Sequence, residues 1–286
     1  MQGRGRIDTR QPINWRSPLN RGLVRWWLGL PGQAGGPLLA DLATGGRANA
    51  GTLTNGPTWA AGGPDGLPEL ALDGSDDYVD CGQATGLTGL AAFSIEAACR
   101  PTSVSGGSAN LRYVAAAEDT GGGAAATAFI LRLSTSPVRW EWYVASGSTF
   151  YGPAIWTGVS AGADYHLVGT YTGASLALYV NGVLAGTASG PGAGTPANAP
   201  AQPVCLGSTA TSTGRAFAGR IRSVRGYSRA VSAAEAWGLY DQARLGYPDL
   251  LRRATPRAWL YPTSPPPPPP AGSSFPAAVV GGGYGW

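Results

Sequence analysis

Hydrophobic and polar positions alternate with a period of two through the middle of the chain. In the run from Phe93 to Arg100, Phe93, Ile95, Ala97 and Cys99 share one face; Ser94, Glu96 and Arg100 share the other. Pro101 then stops the strand, because it cannot donate to a ladder. Leu176, Leu178 and Val180 line one face of the run 175–180, and Asn181-Gly182 leads into Val183-Leu184-Ala185. That pattern predicts a two-residue hairpin, since both central positions of a type I′ turn need positive φ. Similar runs predict strands at 70–73, 77–81, 111–117, 128–134, 138–144, 165–171, 203–207 and 216–227. Short strands at even spacing, separated by turn residues, indicate an all-β, two-sheet antiparallel sandwich. One helix interrupts the pattern. Ser232-Ala-Ala-Glu235 is a capping box ahead of Ala236, Trp237, Leu239 and Tyr240, which predicts a short helix over 232–243 packed across one end of the sandwich.

The alternation is confined to residues 23–243, which are expected to form one domain. Residues 1–22 make a basic N-terminal arm without periodicity, and residues 244–286 make a Pro/Gly-rich C-terminal tail. Six consecutive prolines, Pro265 to Pro270, form a stiff polyproline II rod of roughly 19 Å at ~3.1 Å per residue. Tyr261, Phe275, Tyr284 and Trp286 surround it and are expected to act as apolar anchors in assembly with neighbouring subunits.

Composition narrows the class. Only 13% of the 286 residues are charged, about half the usual quarter, and 45 Gly with 24 Pro approach the low-complexity range. Ten Trp, twelve Tyr and 43% hydrophobic residues nevertheless supply enough apolar surface to fold, which excludes a disordered chain or a coiled coil. All 20 basic residues are Arg, and a net charge of +4 is too weak a field to imply a nucleic-acid partner. The N-terminus has no apolar signal core, so synthesis in a cytoplasm is expected. The longest uncharged stretch, between Asp164 and Arg215, is broken by prolines and cannot span a membrane as a helix. Cys81, Cys99 and Cys205 lie far apart and are expected as buried thiols rather than a disulfide or metal site.

Seven segments, in order, resemble the laminin-G-like jelly roll of the concanavalin A-like lectin/glucanase superfamily. They are Leu23–Trp27; Asp41-Leu-Ala-Thr-Gly-Gly46 with Gly51-Thr-Leu and Gly56-Pro; Leu70-Ala-Leu-Asp-Gly74 with Asp77-Tyr-Val79; Phe93–Ala97; Tyr165–Tyr171; Leu178–Gly182; and Phe217–Ile221 running on to Ser232 and Glu235. The resemblance implies a two-sheet antiparallel jelly-roll sandwich with one short C-terminal helix and extended arms. Ala98 and Tyr165 stand where the family usually has Trp. The flanks Asn14–Gly22 and Leu245–Arg253 resemble those of such domains in tailed-bacteriophage genomes. That implies a virion structural protein, a capsid decoration or fibre whose partners are other virion proteins and copies of itself. The alternative is a carbohydrate-binding or adhesion module on a tail fibre or cell surface.

Candidate chemistry follows. Glycoside hydrolysis needs two convergent carboxylates, which glucanases of this fold place on an E-x-D-x-x-E strand. The five glutamates here, Glu69, Glu96, Glu118, Glu141 and Glu235, show no such spacing, so no enzyme activity is expected. His166, the single histidine, is expected to be packed and hydrogen-bonded. Trp140 and Trp142, at i and i+2, share a sheet face; with Tyr151 and Trp156 they are a candidate platform for sugar rings, or, facing inward, simply core. Asp73, Asp76, Asp77 and Asp80 fall within eight residues, and the resemblance brings Asp41 near them. Such hard oxygen donors suit Ca²⁺. The other reading is a tight turn whose Asp side chains bond their own backbone.

Overall fold

The computed structural model describes residues 13–251 except 30–35, 45, 62–66, 84–85, 119–122, 200–202 and 210–212. Tyr261, Phe275, Tyr284, Trp286 and the proline run therefore lie outside the described residues. The strands are β1 (Leu23–Leu28), β2 (Leu38–Asp41), β3 (Gly46–Thr54), β4 (Thr58–Ala60), β5 (Glu69–Asp73), β6 (Tyr78–Asp80), β7 (Phe93–Pro101) and β8 (Leu111–Glu118). They continue with β9 (Thr127–Thr135), β10 (Val138–Ser146), β11 (Thr149–Thr157), β12 (Tyr165–Tyr171), β13 (Ser175–Val180), β14 (Val183–Ser189), β15 (Cys205–Leu206) and β16 (Ala218–Tyr227), and helix α1 spans Ala233–Leu245.

All pairings between these strands are antiparallel, in the order β11-β10-β9-β8-β15-β6-β3-β2-β1-β16-β7-β12-β13-β14. The β4–β5 hairpin adds to β16 through Arg220↔Ala71. Phe93, Ile95, Ala97 and Cys99 of β7 face Phe129, Trp140 and Trp142 of β9 and β10 across one apolar core, so the ladder doubles over into a sandwich. Strands β7 and β12 pair non-locally, Tyr165 opposite Cys99 and Tyr171 opposite Phe93. The β13–β14 hairpin turns at Asn181 and Gly182, with φ of 51° and 81°.

All seven positions of β12 are buried, which a two-layer sandwich does not produce. A third layer covers the outer face. Trp26, Val168, Tyr227, Leu239, Tyr247 and Leu250 belong to a second apolar cluster that joins β1, β12 and β16 to α1 and the segment after it. Ser232 accepts the Glu235 N–H at 3.3 Å while the Glu235 carboxylate accepts the Ser232 N–H at 2.9 Å, and Gly246, in the left-handed region, ends the helix. Within this layer Arg225 lies between the rings of Trp26 and Tyr247, at 4.8 and 5.0 Å, and pairs with Glu96. His166 Nε2 lies 2.7 Å from the same carboxylate. Burial acts to raise Glu96, but Arg225 and His166 outweigh it and hold the carboxyl below its ordinary 4.5.

The packed body extends beyond 23 and 243. Ile13 bridges Leu251, Asn14 N–H donates to Leu250 O at 2.8 Å, and Asn20 Nδ2 donates to the same carbonyl at 3.2 Å. Cys81, Cys99 and Cys205 are buried and not in disulfides, and burial pushes the Cys81 and Cys99 thiols up. Among the described residues no helix is long and apolar enough to cross a membrane.

Candidate functional site

The tryptophan pair on β10 is core. Trp140 and Trp142 are both 0% exposed. The Trp142 ring packs 5.9 Å from Phe93 and its Nε1 donates to Thr170 O at 3.0 Å. A Cβ at Gly169 would come within 2.4 Å of that ring, so the missing side chain makes the room. Trp140 packs edge-on to Tyr165 at 5.5 Å. Of the two readings of this pair, the open-face platform is thus corrected and the core reading stands: spacing of two places both rings on one face, and that face is the inner one. Tyr151 and Trp156 on β11 are half-buried against the same core, Trp156 edge-on to Tyr165 at 5.8 Å.

The acidic residues separate into two groups. Asp41 is fully buried, and its Oδ1 accepts the N–H groups of Trp26 and Ala43 at 2.9 and 3.0 Å. Its Oδ2 accepts the Thr44 hydroxyl at 2.9 Å. It fastens β1 to the turn after β2 and does not join the others, which corrects its expected place among metal ligands. Asp80 caps Gly82 N–H at 2.8 Å. Asp73, Asp76 and Asp77 do converge, with one ligand oxygen of each lying within 4.8 Å of the others.

This turn leaves β5 through Gly74, at φ +82°, which a Cβ would disfavour. Asp77 Oδ2 accepts Asp73 N–H at 2.9 Å, and Asp73 Oδ1 accepts Ser75 N–H at 2.7 Å. The local bonds of the turn reading are therefore present, yet Asp73 Oδ2 and Asp77 Oδ1 accept none among the described residues. Asp77 is buried and its carboxyl is raised, by desolvation first and then by Asp73 and Asp76, against the Asp73 N–H bond. Two oxygens on opposite sides of Ca²⁺, each at ~2.4 Å, stand ~4.8 Å apart. Three carboxylates at this spacing are compatible with a shared Ca²⁺, which would draw its remaining oxygens from water or backbone.

A groove of about 690 Å³ runs beside the turn, lined by Pro37, Leu53, Gly56, Pro57, Thr58 and Trp59. Gly56 lies against the Asp77 carboxylate, and Asn55 Nδ2 donates to Asp76 O at 3.1 Å, so groove and turn form one unit. The Trp59 ring is half-buried, with Nε1 donating to Gly36 O at 3.1 Å. Sequence reasoning missed Trp59: it sits on a three-residue strand with no alternation to flag it.

The glutamates are engaged with arginine. Glu69 pairs with Arg222 at 2.8 Å, Glu118 with Arg215 at 3.1 Å, and Glu141 with Arg132 and Arg139, both at 2.7 Å. Glu96 pairs with Arg225, and Glu235 with Arg229 at 2.8 Å.

The profile of a family described as the concanavalin A-like lectin/glucanases superfamily matches residues 73–236. No curated protein matches the chain in sequence. Similar solved structures include domain 4 of AbnA, a GH43 extracellular arabinanase from Geobacillus stearothermophilus, in complex with arabinotriose. Its TM-score is 0.54 at 18% identity, over 76% of this chain and 98% of that one. The binding domain of Paraclostridial Mosquitocidal Protein 1 gives 0.59 at 14%, over 79% of this chain and 53% of that one. Trypanosoma rangeli sialidase in complex with sialic acid gives 0.56 at 15%, over 78% and 33%. The match thus spans about half of the second chain and a third of the third. At these identities the likeness is one of fold.

Proposed function

This chain belongs to the concanavalin A-like lectin/glucanases superfamily, and from that premise we propose that it is a non-catalytic glycan-binding module carried by a structural protein of a tailed-bacteriophage particle. The observation that supports binding is the groove lined by Trp59 and two prolines, which adjoins the acidic turn through Gly56 and Asn55. An aromatic ring takes the apolar face of a sugar while carboxylates take its hydroxyls. The fold likeness to an arabinanase domain solved with arabinotriose, and to a toxin binding domain, points the same way. Ca²⁺ held by Asp73, Asp76 and Asp77 would neutralise the turn and fix the wall of the groove.

The non-catalytic reading rests on the arginine partners of all five glutamates and on the tie of Asp77 to its own turn. The virion reading rests on the flanks. They meet at the Ile13–Leu251 bridge.

A glycan array probed with the full chain tests binding. Saturable binding of an oligosaccharide that Trp59→Ala weakens at least tenfold, at unchanged melting temperature, is the expected result. Binding indifferent to that change, or hydrolysis of the bound glycan, overturns the reading. Chelator should lower the melting temperature by linkage; an unchanged melting curve removes Ca²⁺ from the proposal. A protein inventory of purified particles tests location: hundreds of copies mean decoration, a few to tens mean a fibre, and absence overturns the virion assignment.

A further inference from the structure

A second cavity, of about 120 Å³, opens between α1 and the outer face of the sheet. Arg100 of β7, Arg220 and Arg222 of β16, His166 of β12, and Tyr240 and Arg244 of α1 line it. It shares no lining residue with the Trp59 groove. We propose that this pocket is a separate binding site for a monoanionic, carboxylate-bearing sugar.

Charge is the first argument. Arg100 holds Asp164 through two bonds, at 2.9 and 2.6 Å; Arg222 holds Glu69 at 2.8 Å; Arg244 holds Asp241 at 2.9 Å. The four lining guanidiniums thus stand against two lining carboxylates, Glu69 and Asp164, and the adjoining Asp241, while Glu96 and Arg225 beneath them offset each other. One positive charge is left for a ligand. Arg220 is the group that carries it. Its guanidinium comes no closer than 3.8 Å to Glu69 and makes no hydrogen bond among the described residues. A planar fork of this kind matches a carboxylate through two parallel bonds, which a point charge cannot do.

Two further groups favour a sugar over a bare anion. His166 is 3% exposed, its Nε2 is committed to Glu96, and its Nδ1 has no partner. Asn181 spends its side-chain oxygen on the His166 N–H at 2.9 Å, and its Nδ2 donates to nothing among the described residues. Asn181 Nδ2 is therefore a spare donor for a hydroxyl group beside the charge of Arg220. At its edge Tyr240 stands 5.9 Å from His166 and 5.7 Å from Trp237, a residue that is 56% exposed. That aromatic ledge, backed by Gly182, suits the apolar face of a pyranose whose carboxylate reaches Arg220. The inference does not depend on the groove's function.

His166 is the single histidine of the chain, so one imidazole signal reports on this pocket alone. The experiment titrates the full chain, labelled with ¹⁵N-histidine, with glucuronate, glucose and acetate at fixed ionic strength. Glucuronate is expected to shift the His166 nitrogens saturably, glucose not at all, and acetate at least tenfold more weakly than glucuronate. Arg220→Gln should weaken glucuronate at least tenfold, and Trp237→Ala severalfold, both at unchanged melting temperature; Arg220→Lys should recover only part of the loss. No saturable shift with glucuronate, equal shifts with glucose or acetate, or an indifferent Arg220→Gln overturns the proposal. Glycan binding at Trp59, measured on the same variants, should stay unchanged, which separates failure here from failure there.

Discussion

At Glu96 a single buried carboxylate satisfies groups from two neighbouring strands, Arg225 of β16 and His166 of β12. Its folded value lies below 4.5, so the ionised form stabilises the native state above that pH, and the contribution is lost as pH falls through the depressed folded value. Stability measured by denaturant should therefore hold from neutrality down to about 4.5 and decline in more acid solution. Glu96→Gln leaves Arg225 buried without its counter-charge and should cost about 3–5 kcal/mol at neutral pH. It should also flatten this acid decline; a wild-type decline that survives the substitution would assign it to other carboxyls. Trp142→Ala should cost about 3–5 kcal/mol in the same assay while leaving glycan binding intact, as core truncation does. These residues were only half legible in the sequence. A spacing of two shows that Trp140 and Trp142 share a face, but which face is inner depends on the opposite sheet, and Gly169 that receives the Trp142 ring comes 27 residues later. The turn bonds of Asp73 and Asp77 were readable locally; Asp41, adjacent only through a resemblance, proved to serve β1.

Among the elements, β12 and β13 fall at 165–171 and 175–180, where alternation placed them, because β-branched and aromatic residues dominate there, Gly169 apart. Strand β11 had no such signal: Gly152 and Pro153 interrupt its pattern, and its pairing with β10 shifts register between Trp142 and Val144 to absorb them. Strand β5 falls on the expected 70–73, whereas β2 and β4 are short and are held by neighbours rather than by local preference. The capping box of α1 was visible, and the helix ends two residues past the expected 243. What the box does not show is that the helix roofs the sheet. Ser232→Ala should cost about 1 kcal/mol through the lost cap. Leu239→Ala should cost about 2–5 kcal/mol because it opens a cavity over Val168 and Trp26. Equal losses in thermal unfolding for the two variants would mean that α1 contributes through its cap and not through its packing.

For the whole molecule, the edges of the body depend on contacts across more than two hundred residues. Local periodicity ends at 243, but Tyr247 is 0% exposed against Trp26 at 5.3 Å, and Leu250 and Leu251 are buried with Ile13. A chain ending after Leu251 should keep the full-length melting temperature. One ending after Gly246 uncovers Trp26 and Arg225 and should melt at least ~10 °C lower. Coincident melting of the two would place the C-terminal boundary where periodicity stops. The Ile13–Leu251 bridge also makes the body portable. Its ends leave from paired neighbours ~5 Å apart, the separation of two residues across an antiparallel ladder. A gap that small matches the ends of an ordinary surface loop, so the body can be spliced into the middle of an unrelated chain with little closure entropy and without parting the host's own strands. Joined to itself by a short linker at the same point, it can be reopened at another loop, its order of strands rotated and its packing kept.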